Sequence, residues 1–299
     1  MGHIVVVGSI NMDLVVRSPH LPQPGETILG RDFKTFPGGK GANQAVAASR
    51  LGGHVKMIGR VGNDAFGTEL LRTLQNDRVD TTFVQRAADV PSGVALITVE
   101  DAGQNTIVVA SGANAKVTPA DVDAAEAAFD GAAVLLLQLE IPLPTVRHAI
   151  EVAKKHRVRV LLNPAPAQPL ETQLLSLVDY LVPNQIELAL LTGAASLEQG
   201  VAQLQSLGVK QVVVTLGGDG VAVFEAEKTY RLAPHPVNVV DTTAAGDAFV
   251  GGFAVALVEG RSTREAAEWG NVAGGLAVTR AGAQPSLPTR AELIAFLHG

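Results

Sequence analysis

The sequence predicts an α/β protein: a mostly parallel sheet sandwiched by helices, with a small antiparallel β lid. Three observations carry that expectation. Short apolar, β-branched runs alternate with segments of helical period along most of the chain, the pattern of β-α units feeding a parallel sheet. Of the 299 residues, 47% are apolar but only 4% aromatic, so Ala, Val, Leu and Gly do the packing, which suits buried parallel strands under close-fitting helices. Two stretches, about 14–36 and 92–110, are rich in β-formers yet supply no crossover helix. No repeat, low-complexity tract or linker interrupts the chain, and 1–299 reads as a single domain.

His3–Gly8 is a short apolar run and reads as a buried strand. It ends in Ser9-Ile10-Asn11-Met12-Asp13, where alternation sets Asn11 and Asp13 on one side and Ile10, Met12 and Leu14 on the other. Leu14–Phe36 is rich in Pro and Gly, with β-formers at Thr27-Ile28-Leu29. Ala42–Leu51 is helical and stopped by Gly52-Gly53. Val55–Val61 is a strand, and Asp64–Gln75 a helix with Asp64 as N-cap. Gly93–Val99 and Asn105–Ala110 form a hairpin turning through Glu100-Asp101-Ala102-Gly103-Gln104. Helix Pro119–Phe129 follows Thr118, then come strand Ala132–Leu139, helix Leu143–His156 and strand Val158–Leu162. The alternation continues through Tyr180–Val182, Gln185–Leu191, Ser196–Leu207 and Gln211–Leu216, and helices at about Ala245–Val258, Thr263–Thr279 and Arg290–Leu297 close the chain.

Several function classes are disfavoured. The formal net charge is −6 and no basic stripe interleaved with aromatics appears, so nucleic-acid binding is not expected. There is no cysteine, which excludes disulfides, zinc thiolates and thiol nucleophiles and fits a reducing cytoplasm. No apolar run approaches the roughly 20 residues of a membrane helix, and the amino-terminal stretch does not read as a signal peptide.

Five segments are candidates for chemistry. Asp241-Thr242-Thr243-Ala244-Ala245-Gly246-Asp247 leads into an apolar helix. Small residues at a helix start leave backbone N–H groups free and approachable, an anion site. An acid in that first turn either complements the dipole or, beside a bound phosphoryl group, accepts the proton of an attacking hydroxyl. Gly38-Gly39-Lys40-Gly41-Ala42-Asn43-Gln44-Ala45 also runs from a glycine turn into a helix. It is not a Walker A loop, since position 34 is not glycine and no Ser or Thr follows Lys40. It is either a helix-opening turn with a solvated lysine or a polyol contact through the glycine amides, Lys40 and Asn43. No Gly-x-Gly-x-x-Gly occurs either, so the dinucleotide fingerprint is missing.

Asn11 and Asp13, with Glu140 just beyond Ala132–Leu139, lie where strand ends of open α/β sheets meet ligands. They are strand terminators or, converging, acceptors for a hydroxyl-rich ligand. Asn184 and Glu187 occupy the two positions of a capping box, and the same pair suits a hydrated Mg²⁺ beside phosphates. Thr215-Leu216-Gly217-Gly218-Asp219-Gly220 is a turn whose glycines would also let a nucleotide approach the backbone.

Together and in this order, the segments resemble the ribokinase (PfkB-type) carbohydrate kinase family. Gly-Gly-Lys-Gly-Ala-Asn-Gln-Ala is similar to its amino-terminal signature and Asp-Thr-x-x-Ala-Gly-Asp to its carboxyl-terminal one. The resemblance runs from about Ile4 to Phe296. Gly8–Asp13, Gln138-Leu139-Glu140, Asn163–Ala167 and Arg280–Ser286 resemble the ribose-acting members. It implies a ribokinase-like fold and transfer of the ATP γ-phosphoryl group to O5 of D-ribose, with Asp247 as base and Ala244, Ala245 and Gly246 opening the anion hole. It implies Asn11, Asp13, Gly39, Lys40, Asn43 and Glu140 on the sugar, and Asn184, Thr215, Gly217, Gly218, Gly220, Gly246 and Asn271 on ATP, with Glu187 near Mg²⁺. Asp241, Thr243, Ala277, Arg280, Gly282 and Ser286 would hold potassium, several through backbone carbonyls. A homodimer through the lid is also implied. Ala244 departs from the glycine common in the family, and Asn271 from the histidine of some members. Kinases for deoxyribose, a ketohexose or a nucleoside, and a non-catalytic sugar sensor on the same fold, are the alternative readings.

Overall fold

The computed structural model describes residues 2–298. In chain order the elements are β1 (His3–Val7), β2 (Asn11–Ser18), β3 (Phe33–Gly38), α1 (Lys40–Arg50), β4 (Val55–Gly62), α2 (Ala65–Asn76), β5 (Asp80–Ala87), β6 (Gly93–Glu100), β7 (Asn105–Ala110), α3 (Pro119–Ala124), β8 (Ala132–Leu137), α4 (Leu143–Lys155), β9 (Arg159–Leu162), α5 (Thr172–Leu175), β10 (Tyr180–Leu181), α6 (Gln185–Thr192), α7 (Leu197–Ser206), β11 (Gln211–Thr215), β12 (Val221–Phe224), β13 (Thr229–Leu232), α8 (Ala245–Val258), α9 (Thr263–Ala277) and α10 (Arg290–His298). Nine strands make one sheet in the order β13-β12-β11-β10-β9-β8-β1-β4-β5. It is parallel from β11 to β5, and β12 and β13 add an antiparallel edge.

Strand alternation divides the interior into two cores. Ile4 and Val6 of β1 with Val134 and Leu136 of β8 face a layer that includes α1, α8 and α9. Val5, Val7, Leu135 and Leu137 face one that includes α4 and α7. With both faces covered, every residue of these strands' centres is apolar, which is why periodicity shows them as unbroken runs. Among the described residues no helix is long and apolar enough to cross a membrane.

The second sheet has the order β3-β2-β6-β7. Its outer pairs are antiparallel, while its central pair, β2 with β6, runs parallel. Three expectations need correction, and one strand is added. The first strand does not carry Asn11 and Asp13: β1 stops at Val7 and Asn11 opens β2 of the small sheet. The bend exists because α1 presses on it, so closely that a Cβ on Gly41 would lie 2.6 Å from the Ser9 nitrogen. Thr27-Ile28-Leu29 is not a strand: it joins no ladder, and Leu29 is left 89% exposed, without a packed surface to hold it. The Pro119–Phe129 helix ends at Ala124 and continues as a 3-10 turn over Glu126–Phe129. The edge strand β5 was not anticipated, since its polar, half-exposed sequence shows no apolar run.

Helix α8 is apolar all round and almost wholly buried between α1 and α9. A Cβ on Gly251 would lie 2.6 Å from the Ala47 Cβ and 2.9 Å from the Ala48 nitrogen, so the crossing of α8 and α1 is set by the missing side chain. This crossing holds the two helix starts that carry the chemistry-bearing segments. Gly251→Ala is therefore expected to destabilise the fold by about 1–3 kcal/mol, read as a lowered urea midpoint; an unchanged midpoint would contradict the tight crossing.

Candidate active site

The starts of α1 and α8 meet beyond the carboxyl ends of the parallel strands, where open α/β sheets form their binding crevice. Ala244 precedes α8 in a left-handed conformation, φ 59° and ψ 11°, and no side chain caps the helix. The turn there suits glycine better than a residue with a Cβ. The first turn leaves the amides of Gly246 and Asp247 without partners in the helix, and the space around Gly246 is open to 4 Å.

Asp247 lies in that turn and is 7% exposed. Its Oδ2 accepts from Asn43 Nδ2 and its Oδ1 from Gln44 Nε2, both at 2.9 Å. Burial pushes its carboxyl up, more than Lys40, Asn43 and Gln44 pull it down, and the Glu140 charge adds to the rise. The Lys40 ammonium moves above its ordinary value. Burial alone would lower it, but Asp247, Glu140, Glu187 and Asp13 outweigh that.

Asp13 pairs with Phe36 of β3, and its side chain lies against Gly38, where a Cβ would lie 2.3 Å from its Oδ2. Burial, then the charges of Glu140 and Asp247, raise its carboxyl to about 7 against the pull of Lys40. Glu140 Oε2 accepts from Ser9 Oγ at 2.5 Å and from the Lys40 amide at 3.1 Å. Gly39, at φ 86°, packs with its Cα so close that a Cβ would lie 2.7 Å from the Asn11 nitrogen. Asn11 Oδ1 accepts from Asn114 Nδ2 at 2.6 Å, and Asn114 also exchanges hydrogen bonds with the Ile10 backbone. Asn114 escapes sequence reasoning, since an asparagine after a hairpin reads as an ordinary loop residue. A cleft of about 370 Å³ opens against Asn11, Asn114 and Glu140.

A second cavity, of about 220 Å³, is bounded by Lys40, Asn163, Asn184, Glu187, Thr215, Gly246 and Asp247 itself. The capping box on α6 is present: Asn184 Oδ1 accepts from the Glu187 amide and Glu187 Oε2 from the Asn184 amide, each at 2.8 Å. Burial raises the Glu187 carboxyl, opposed by the Asn184 amide and Lys40 and assisted by Asp247. Gly217, Gly218, Gly220 and Asn271 do not line this cavity. Gly217 and Gly220 sit at φ 60° and 88° in the turn after β11. Asn271, on α9, donates from Nδ2 to the Ala233 carbonyl at 2.7 Å.

The segments 240–243 and 277–286 are stitched together beside the start of α8. Asp241 Oδ1 accepts from the Thr243 amide and hydroxyl, and its Oδ2 from the Gly282 amide. Burial would raise this carboxyl, but the Gly282 and Thr243 donors hold it below its ordinary value. The Arg280 amide donates to the Ala277 carbonyl, the Arg280 guanidinium pairs with Glu292, and Ser286 Oγ donates to the Ala283 carbonyl.

An uncapped helix start, a buried carboxylate in its first turn and a polar cradle beside it define a class: enzymes that move an anionic group onto a hydroxyl. The chain belongs to the pfkB family of carbohydrate kinases, which its residues 1–290 match. It is 42% identical over 300 residues to a ribokinase of Haemophilus influenzae, covering 99% of this chain and 98% of that protein. A deoxyribokinase of Salmonella typhi is 37% identical over 300 residues, at 98% of each. The solved structure of Arabidopsis thaliana ribokinase complexed with ribose and ATP superposes with TM-score 0.93 at 38% identity, covering 100% of both chains.

The Asp13 carboxyl gives a stability signature. Its folded value of about 7 lies above the ordinary 3.8, so the fold favours its protonated form. Stability from this group falls as pH rises from near 4 towards 7 and levels off above. Asp13→Asn is expected to raise Tm by a few degrees at pH 8 and little at pH 4, measured by thermal melting of the unliganded protein; equal shifts at both values would contradict the assignment.

Proposed function

We propose that the protein transfers the γ-phosphoryl group of ATP to the O5 hydroxyl of D-ribose, with Asp247 as general base. The observation that carries this reading is the position of Asp247, buried in the first turn of an uncapped helix between a polyol-suited cradle and the cavity of Lys40, Asn184 and Glu187. Asn43 strengthens it: its amide nitrogen is spent on Asp247, while its Oδ1 is buried and without a partner, an acceptor awaiting a hydroxyl donor.

In this reading Asn11, Asp13, Gly39, Lys40, Asn43 and Glu140 hold the sugar. Asp247 takes the proton of the acceptor hydroxyl, and burial brings its pKa towards the working pH. The start of α8, from Ala244 through Gly246, offers its amides to the charge on the migrating phosphoryl group, and Lys40 adds a cation. Such transition states are loose, so orientation and charge stabilisation outweigh base strength. Asn184, Thr215, Gly217, Gly218, Gly220, Gly246 and Asn271 would receive ATP.

The donor chemistry fits two cations. Glu187 spends Oε2 on Asn184 and keeps Oε1, a hard oxygen suited to a hydrated Mg²⁺ that neutralises phosphate charge. The carboxylate of Asp241 with oxygens of Thr243, Ala277, Arg280, Gly282 and Ser286 suits potassium, which would lend positive charge to the anion hole. The ribokinase relatives favour ribose. The Salmonella deoxyribokinase favours the second reading, deoxyribose, which the same ADP-release assay separates. A homodimer is also proposed, with Phe33, Leu96 and Val108 of the lid, each at least half exposed, as the apolar surface to be covered. A cytoplasmic setting fits the absence of cysteine.

Asp247→Asn is expected to lower kcat by about 10²–10⁴-fold with the ribose KM little changed, measured by coupled ADP release; a near-normal rate would overturn the base assignment. Exchanging potassium for tetramethylammonium is expected to depress kcat severalfold, and an indifferent rate would discard the cation site.

A further inference from the structure

We propose that Gln44 is a positioning residue for the Asp247 base, the fixed donor of a buried amide chain that orients the carboxylate and favours its ionised form. Gln44 is 0% exposed. Its Nε2 donates to Asp247 Oδ1 at 2.9 Å and to Asn163 Oδ1 at 3.0 Å. Its Oε1 accepts from Gln138 Nε2 at 2.6 Å. Asn163 Nδ2 in turn donates to the Val182 carbonyl at 2.8 Å. The chain thus runs from the end of β8 through α1 to the start of α8, and to the wall of the phosphate-side cavity at Asn163.

The amide of Gln44 has one workable orientation. Both its hydrogens and its oxygen are engaged; reversed, its oxygen would face the oxygens of Asp247 and Asn163 and its nitrogen would meet the Gln138 amide group. Asn43, the other donor to Asp247, stands in the sugar cradle with its Oδ1 left for a polyol, whereas Gln44 has both its oxygen and its nitrogen engaged within the protein. Each carboxylate oxygen keeps a second lone pair beside its amide donor, and the proton leaving the sugar hydroxyl goes to Oδ2, the oxygen on the side of Asn43 and the sugar cradle. The hydroxyl O–H bond breaks and the new O–H forms on Asp247 Oδ2. The freed oxygen electron pair bonds to the γ-phosphorus while the bond from that phosphorus to the β–γ bridging oxygen breaks, its electron pair leaving with ADP.

Gln44 also stabilises the ionised carboxylate, since it only donates. The charged groups that face Asp247 are Lys40 of α1, Asp13 of β2, Glu140 after β8 and Glu187 of α6, and none is altered by changing Gln44.

The inference rests on Asp247 being the base, and the test separates the two. Gln44→Met keeps the length of the side chain but removes the donor. The kcat–pH profile with saturating ribose and ATP is expected to drop about tenfold or more at its plateau, with the ribose KM within about threefold and the acid limb displaced upward by about one pH unit. Gln44→Glu keeps the acceptor for Gln138 while setting a carboxyl against Asp247, and is expected to displace the acid limb further. It carries the test if the methionine variant does not fold. An acid limb that stays in place in a folded variant would overturn the proposal, even with kcat reduced, because loss of packing alone does not move it. If Asp247→Asn is inactive while both Gln44 variants behave normally, only this inference fails; if Asp247→Asn is active, the base reading itself fails.

Discussion

A single ammonium held among four carboxylates is the constraint on which this protein is organised. Lys40 is surrounded by the charges of Asp247, Glu140, Glu187 and Asp13, and burial raises the carboxyls of Asp13, Glu187 and Asp247. Such an arrangement is unfavourable in an empty protein, because like charges and desolvation both oppose ionisation. It persists because the scaffold around it is over-determined: α8 is locked between α1 and α9, and glycines at 39, 41 and 251 let backbones approach where a side chain would clash. In the proposed reading, hydroxyls of a sugar would supply donors to the carboxylates, and the phosphates of ATP would meet the ammonium. Ligands would thereby relieve the imbalance that the fold maintains.

The small sheet serves the same site. Because β1 ends at Val7, Asn11 and Asp13 lie in the opening residues of β2 and so belong to the small sheet and to the crevice at once. A movement of the small sheet would carry two of the cradle's polar groups with it. Asn114, tied to Asn11 and to the Ile10 backbone, fixes the place where the sheet leaves the body.

Much of the architecture was legible because buried parallel strands and capped helices leave local signatures. Asp64 caps α2 as its position suggested, accepting from the Gly67 amide, and the capping box of Asn184 and Glu187 forms. β5 is hidden because an edge strand needs no apolar alternation, and Thr27–Leu29 forms no strand because β-propensity depends on packing against a half-buried surface, whereas Thr27 and Leu29 are exposed. At the site, short segments announced Lys40, Asn43 and Asp247 through glycine turns that open helices. The role of Gln44 was not legible, since it depends on Gln138, Asn163 and Asp247 meeting across three separate stretches of chain. The same is true of Asn114. Long-range hydrogen bonds have no local sequence pattern, whereas helix starts do.

The central claim is that one carboxylate faces both a bound sugar alcohol and the phosphorus it attacks. A crystal structure of the protein with D-ribose and a non-hydrolysable ATP analogue tests it most directly. The account predicts O5 of ribose within hydrogen-bonding distance of Asp247 Oδ2, with the γ-phosphate at the amides of the α8 start. A sugar bound away from Asp247, or a γ-phosphate outside the turn of Ala244 to Gly246, would contradict it.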